Sequence, residues 1–359
     1  MLPMHLAQLR LRDFRNYVRL DVAFEPGFHL LLGNNAQGKT NILEAIYLVA
    51  TLRSFRGVGG SQLIRFGQPG YFVGSTVIAQ GTHETKMYWS AKERTLSLNG
   101  RPIRRLQDYF GTLRTVIFCT EDLQLIKGSG RFRRRFLDLL LAQSSPGYLG
   151  LLQRYMEALR SRNALLKNPS SDAASLEGFS LELIASGREI IRQREELIPK
   201  IALIAKVAAR RIASEQDDLE IRYQPSVKAD FEEELARSQA RERMMRATLV
   251  GPHRDELELL LNGRSAAQFG SEGQKRTVAI ALKVTQAEYL TTIHGTPPVL
   301  LIDDIMGELD IKRRSGLMPL LERAHHGSGQ VFMTATETNW PEELGRKARH
   351  WTIQNGGLQ

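Results

Sequence analysis

The first part of the chain reads as strands with turns, apolar positions recurring in short runs among polar residues. Leu6, Leu9 and Leu11 sit among polar residues, and apolar stretches follow at 22–24 and 28–32. Asn34 and Asn35 break the last of these. From Lys39 the period lengthens, with Ile42, Leu43, Ala45, Ile46 and Leu48 recurring at helical spacing. Further strands are predicted over 71–77, 87–89 and 96–98, the last closing on the turn pair Asn99-Gly100. A buried strand is predicted over 115–118.

The texture then changes. From 131 to 246 long amphipathic patterns rich in Arg and Glu predict helices. A loop at 168–174 (NPSSDAA) breaks them, and a strand-like run at 219–223 precedes Pro225. Strand character returns over 256–261, again ahead of an Asn-Gly pair, and a helix is predicted over 273–289. Apolar strands are expected over 299–302 and 331–334, with a last one over 350–353. No internal repeat is present. The order is β-rich, then helical, then α/β. It predicts an α/β fold in which 1–125 and 251–359 form one discontinuous lobe and 126–250 a mainly helical inserted lobe.

Composition adds a partner class. The 359 residues carry 49 Lys and Arg against 39 Asp and Glu, a formal charge of +10. Such an excess favours polyanions, nucleic acid first, over a chance surplus on a basic surface. A single cysteine, Cys119, rules out an intrachain disulfide and a cysteine-based zinc site, and suits a reducing compartment. Neither a secretory signal pattern nor a membrane-length apolar run is present, so the expected location is the cytoplasm, with no membrane partner.

Candidate chemistry starts between the strand at 28–32 and the helix that follows. Gly33, Asn34, Asn35, Ala36, Gln37, Gly38, Lys39 and Thr40 form G-x-x-x-x-G-K-T. The two glycines allow backbone conformations a side chain would forbid, and let the chain approach phosphates. Loop amides and the helix N-terminus then face the anion. Lys39 reaches the β- and γ-phosphates, and the Thr40 hydroxyl can ligate Mg²⁺. ATP is the nucleotide expected.

Two weaker patterns gain weight from this loop. The apolar run 299–302 ends in Asp303 and Asp304. Acidic residues at a strand end are common, but beside a phosphate loop Asp303 becomes the metal-supporting carboxylate and Asp304 a candidate to polarise the attacking water. Glu308, Leu309 and Asp310 follow, as an interface turn or a simple helix cap. Ser271, Gly273 and Gln274 stand at the start of the helix at 273–289. By themselves they read as an ordinary N-cap. Their place ahead of the acidic strand makes a second anion site the competing reading.

This motif order resembles that of the ABC/SMC ATPases, and more closely that of the RecF family of bacterial DNA replication and repair proteins. The resemblance rests on LRLRDFRNY (9–17), GNNAQGKTN (33–41), EDLQLIKGSGRFRRRFLD (121–138), GPHRDEL (251–257), GSEGQKR (270–276) and LLIDDIMGELD (300–310). It implies an ABC-type ATPase head with an inserted helical lobe. It also implies a weak DNA-dependent ATPase that dimerises when ATP lies between the phosphate loop of one subunit and Ser271, Gly273 and Gln274 of the other. Proteins of this family act at gaps and duplex–single-strand junctions with RecO and RecR, leading to RecA loading, recombinational repair, replication restart and the SOS response. Slow hydrolysis resets the dimer. The resemblance gives Thr40 and Asp303 the metal, Asp304 the catalytic role, and Arg15 and Asn16 a place along the nucleotide.

Cys119 and Thr120 depart from the Ser-Pro more usual there before Glu121. Thr334 and Thr336 stand where many ABC proteins carry a switch histidine, which argues against a transport subunit. The helical stretch is too short for an SMC arm. For DNA the densest basic run is Arg131, Arg133, Arg134 and Arg135, with Arg53, Arg56, Arg104, Arg105, Arg210 and Arg211 as further candidates. Sparse aromatics around them favour backbone-led duplex binding over base stacking. The alternative function is a nucleotide-gated protein-interaction scaffold with incidental DNA binding.

Overall fold

The parallel strands of the central sheet send alternate side chains into two separate hydrophobic cores. The computed structural model describes residues 4–168, 173–213, 217–323, 329–336, 348–354 and 356–358. The chain opens with β1 (His5–Phe14), β2 (Tyr17–Ala23) and β3 (Gly27–Leu32), which leads into α1 (Lys39–Thr51). Strands β4 (Gly70–Ile78), β5 (Thr82–Ser90), β6 (Arg94–Leu98), β7 (Arg101–Pro102) and β8 (Thr115–Phe118) follow. The helical stretch holds α2 (Gln124–Lys127), α3 (Gly130–Ser144), α4 (Tyr148–Lys167) and α5 (Ala173–Ile212), then β9 (Leu219–Gln224) and α6 (Phe231–Met245). The remainder is β10 (Glu256–Leu261), β11 (Arg264–Ser265), α7 (Ala266–Phe269), α8 (Glu272–His294), β12 (Val299–Asp303), α9 (Ile311–Arg323), β13 (Gln330–Ala335), β14 (Arg349–Gln354) and β15 (Gly357–Leu358).

The described residues form three sheets. The first runs β2-β1-β4-β5-β6-β7 and is antiparallel throughout. The second, β11-β10-β9, joins a strand of the helical stretch to the returning α/β segment. The third runs β15-β14-β3-β13-β12-β8, parallel except for the β14–β15 pair. Its strands read as nearly continuous apolar runs because both faces are covered. Phe28, Leu30, Val116, Phe118, Leu300, Ile302, Val331 and Met333 enter the core shared with α2 to α6, α8 and α9. Leu31, Ile117, Val299, Leu301 and Phe332 enter the core shared with α1 and the first sheet. A one-residue slip of any of these strands would exchange its two cores.

Buried charge fixes how the helices meet. Arg162 of α4 pairs with Glu242 of α6 at 2.6 Å, with both side chains essentially inaccessible. Arg162 also donates to Thr248 Oγ1 at 2.8 Å. Arg194 of α5 donates to Asp255 Oδ2 at 2.8 Å, the Pro252 carbonyl at 2.8 Å and Asp138 Oδ1 at 2.7 Å. Tyr148 donates to Asp138 at 2.6 Å, and Tyr223 to Asp255. The segment around His253, Arg254 and Asp255 is thus a structural junction between helices and sheet. Removing one partner of such a buried pair leaves an uncompensated charge, a cost of roughly 3–5 kcal/mol.

Most predicted elements sit where the periodicity puts them; short elements such as α2, β7, β11 and α7 were not predicted, and three further differences have a local cause. Of the expected loop at 168–174, positions 169–172 lie outside the described residues, while Ala173 and Ala174 already belong to α5. The helix expected over 273–289 continues to His294. Thr291, Thr292 and Ile293 are weak helix formers, but Leu290 is fully buried, so packing carries the last turn until Gly295 ends it at φ 67°. The strand at 350–353 is not the last, because β15 pairs back on it through Gly356 at φ 73°. Two residues leave no periodic signal.

Candidate nucleotide-binding site

The loop between β3 and α1 is shaped by neighbours that only the fold supplies. Gly33 has φ 151°, and a Cβ there would lie 2.4 Å from the Ile353 carbonyl of β14. Gly38 has φ 117°, and a Cβ there would lie 2.6 Å from Asn16 Nδ2. Both fixed glycines are therefore required by packing as well as by any ligand. Asn16 Nδ2 donates to the Gln37 carbonyl at 2.9 Å, the Tyr17 hydroxyl to the Gly38 carbonyl at 3.1 Å, and the Gly356 amide to Gln37 O at 3.3 Å. Because each peptide unit is planar, anchoring these carbonyls also fixes the direction of the attached N–H groups. Such preset amides next to a helix N-terminus make an anion cradle.

Lys39 is buried in the loop it belongs to. Its Nζ donates to Gly33 O at 2.6 Å and Asn34 O at 2.9 Å, spanning the loop. Burial lowers its pKa, while the carboxylates of Asp304 and Asp303 act the other way. The ammonium thus sits between loop carbonyls and the acidic strand end.

The parallel sheet brings that strand end to the loop. β3, β13 and β12 are adjacent, so their carboxyl ends meet at one edge, the usual place for a ligand in an open α/β sheet. Thr40 Oγ1 donates to Asp303 Oδ1 at 2.8 Å, and Thr334 Oγ1 donates to the same oxygen at 2.9 Å. Burial raises the Asp303 pKa, the two hydroxyls lower it, and Glu121 and Asp304 raise it further. Thr40 and Asp303 are the hard oxygen donors Mg²⁺ takes when phosphates and water complete its shell. Among the described residues no group of three or more His, Cys, Asp or Glu could hold a metal by itself. Asp304 is exposed and left-handed at φ 53°, and its amide donates to Thr334 Oγ1 at 2.9 Å. Thr334 therefore sets both acidic residues. It was visible in sequence only as a position without histidine.

Other sequence candidates are placed differently. Arg15 is not turned to the loop chemistry: its guanidinium makes two bonds to the buried Glu44, at 2.8 and 2.9 Å, and one to Gln62 O at 3.0 Å. Asn16 does meet the loop, as its brace. Cys119 caps the turn before α2, where Asp122 Oδ2 accepts its amide at 2.9 Å, so the turn forms without Ser-Pro. Of 332–338, the positions beyond Thr336 lie outside the described residues.

Ser271 and Gln274 form a capping box on α8: Ser271 Oγ accepts from Gln274 N at 3.2 Å, and Gln274 Oε1 from Ser271 N at 2.9 Å. Gln274 Nε2 also donates to Asp217 at 3.1 Å. Beside Gly273, a Cβ would lie 2.7 Å from Arg313 Nη2. Ser271 remains exposed at the helix start. Among the described residues no hydrogen bond joins these three to loop 33–40.

The basic run is largely internal. Arg133 holds Glu256 through two bonds, at 2.6 and 2.9 Å, and the carbonyls of Leu125 and Gly128. Arg134 donates to Asp255 O at 2.7 Å. These two guanidinia are committed to the fold, a correction to reading the run as one phosphate-contacting face. Arg131 is exposed, and Arg135 makes one long bond, 3.4 Å, to Ser54 O. Both lie close enough to Arg53 to depress its pKa further below the level set by burial. Arg105, Arg210 and Arg211 each have a carboxylate partner, in Asp108, Asp218 and Glu288.

Comparison with known proteins follows the same lines. A family model described as RecF/RecN/SMC N terminal domain matches residues 5–356. The DNA replication and repair protein RecF of Symbiobacterium thermophilum is 36% identical over 360 residues, covering 95% of each chain. A solved structure of the recombination mediator protein RecF with ATP, from the RecFOR pathway, superposes with a TM-score of 0.90 at 30% identity, covering 99% of this chain and 97% of that one. The Smc head domain of Pyrococcus furiosus, bound to the C-terminal domain of ScpA, superposes with a TM-score of 0.57 at 16% identity, covering 99% and 95%, which is a likeness of fold. No helix among the described residues is long and apolar enough to cross a membrane.

Proposed function

Because the chain belongs to the RecF family of DNA replication and repair proteins, we propose that it is an ATP-switched, DNA-binding repair ATPase in which residues 33–40 hold the nucleotide phosphates. The observation that carries this reading is the meeting of Thr40 and Asp303 at 2.8 Å beneath a loop braced from outside by Asn16, Tyr17 and Gly356. Lys39 exchanges its loop carbonyls for phosphate oxygens. Thr40 and Asp303 would hold Mg²⁺, which when bound would neutralise charge on the phosphates. Asp304 orients the attacking water, and Thr334 keeps it in position.

Ser271, Gly273 and Gln274 serve in trans. Their exposed helix start offers N–H groups and a hydroxyl to the γ-phosphate bound by a second copy of the chain. Binding that is tighter in the closed state drives dimerisation, and slow hydrolysis reverses it. The lobe of 1–125 with 251–359 carries the nucleotide, and the helical lobe of 126–250 completes a basic groove. Duplex DNA at gaps or junctions is the ligand, contacted through phosphates by Arg131, Arg135 and Arg53. RecR- and RecO-like proteins are the partners, with replication restart and SOS induction as the outcome and the cytoplasm as the setting.

The second reading, a nucleotide-gated scaffold for other repair proteins, draws support from the internal commitment of Arg133 and Arg134. Sedimentation separates the two. The protein is run with and without ATP and Mg²⁺, alone and with a short duplex, beside Lys39→Met. A dimer that forms only with ATP, holds DNA tightly only then, and is lost in Lys39→Met is the expected result. DNA binding that ignores ATP, with no change of mass, would favour the scaffold.

A further inference from the structure

The amino ends of β8 and β12 lie at the edge of the parallel sheet opposite the nucleotide loop, since both strands run parallel to it. There the turn between β4 and β5 meets them and closes a polar cavity of about 240 Å³, lined by Gln80, His83, Thr112, Arg114, His294 and Thr296 among others. Among the described residues no carboxylate lines it. Among the described residues the Arg114 guanidinium makes one hydrogen bond, from Nη2 to Thr296 Oγ1 at 2.9 Å, and its buried Nε has no acceptor. His83 Nδ1 is also buried without a partner. His294 is held from outside the cavity, its Nε2 donating to the Gln143 carbonyl at 2.7 Å.

We propose that this cavity is a binding site for a phosphate-type oxyanion, held by Arg114 with His83, while His294 lines it as a neighbour. A half-buried guanidinium without a counter-ion is costly, and a charge-assisted bond to a compact anion relieves it. Arg114 and His83 reach the space from two separate parts of the chain, an arrangement suited to an oxyanion with several acceptors. The volume is below the roughly 300 Å³ typical of organic-ligand pockets but holds a phosphate with water. The pKa values agree: burial lowers that of Arg114, while for His294 burial comes first and the Arg114 charge second. Among the described residues the Arg114 guanidinium meets no carboxylate in this cavity. The site is independent of the ATP reading.

The test uses the full chain labelled with ¹³C in its histidine rings, with His83→Gln and His294→Gln assigning the two signals. Inorganic phosphate is titrated in one series and a short duplex in another. The site predicts a saturable shift of His83 and His294 while His29 and His253 stay still, with binding weakened about tenfold or more in Arg114→Met. A response to phosphate alone assigns a free anion, and a response to both assigns a backbone phosphate; either supports the site. No saturable shift, or unchanged affinity in Arg114→Met, overturns it. Should Arg114→Met not fold, the same weakening is required of His83→Gln, read at His294.

Discussion

Thr40 donates a hydrogen bond to Asp303 across 263 positions of sequence. This single contact joins the phosphate loop to the acidic strand end, and Thr334 adds a second hydroxyl to the same oxygen while also accepting the Asp304 amide. Thr334→Val deletes both interactions at nearly constant volume. It should leave ATP affinity within a few-fold and slow turnover about tenfold, through misplacement of Asp304. Single-turnover hydrolysis beside equilibrium ATP binding measures the two separately. Loss of binding with unaltered turnover of the bound fraction would contradict the assignment.

Asp304→Asn should bind ATP, because Lys39 and the loop are untouched, yet hydrolyse it on the order of 10²-fold or more slowly. The closed dimer should accumulate. Hydrolysis at the wild-type rate would remove Asp304 from the mechanism.

Ser271 has two roles to tell apart. Ser271→Asp keeps a good N-cap, so the unfolding midpoint should hold, whereas Ser271→Arg should lose about 1 kcal/mol. Both should keep ATP binding by the monomer and lose the ATP-dependent dimer, one by placing negative charge against phosphate and one by bulk. If Ser271→Asp dimerises normally with ATP, the serine is a cap and nothing more.

Arg133 and Arg131 are close in sequence and opposite in expectation. Arg133→Ala should destabilise the fold by roughly 1–2 kcal/mol by freeing Glu256 and two carbonyls. Arg131→Ala should not move the unfolding midpoint but should weaken DNA binding and reduce its salt slope by about 1. Denaturation and salt-dependent binding, run on both variants, decide it; equal salt slopes for Arg131→Ala and wild type would exclude that contact.

His29 supplies a pH signature. It is fully buried; its Nε2 donates to Glu25 O at 2.7 Å and its Nδ1 accepts from Trp351 at 3.0 Å. Burial lowers its pKa to about 4. The unfolded chain, with an ordinary value near 6.5, therefore binds the proton first as pH falls. Stability should be intact above about 6.5 and drop as pH falls towards 4, by on the order of 3 kcal/mol from this residue. His253, also lowered to about 4 by burial, acts in the same direction. Urea unfolding at pH 7 and 4.5 tests this, and His29→Gln should flatten the dependence. An equally steep profile in that variant would show that other groups carry it.

The sequence by itself determined the elements and the phosphate loop. Strand and helix periods are local properties of side-chain spacing, and the loop's glycines, lysine and threonine are contiguous, so both could be read without knowing what touches what. The pair Asp303-Asp304 was legible only in company with that loop. Tertiary structure decided the rest. It placed β13 between β3 and β12, and so gave Thr334 its two partners. It turned Arg15 onto Glu44 and left Asn16 to brace the loop. It divided one basic run into half-buried structural guanidinia and an exposed Arg131, because α3 presents successive residues to different surroundings about 100° apart. Charge is counted along a chain, but whether a charge is satisfied depends on neighbours that folding brings from elsewhere in the sequence.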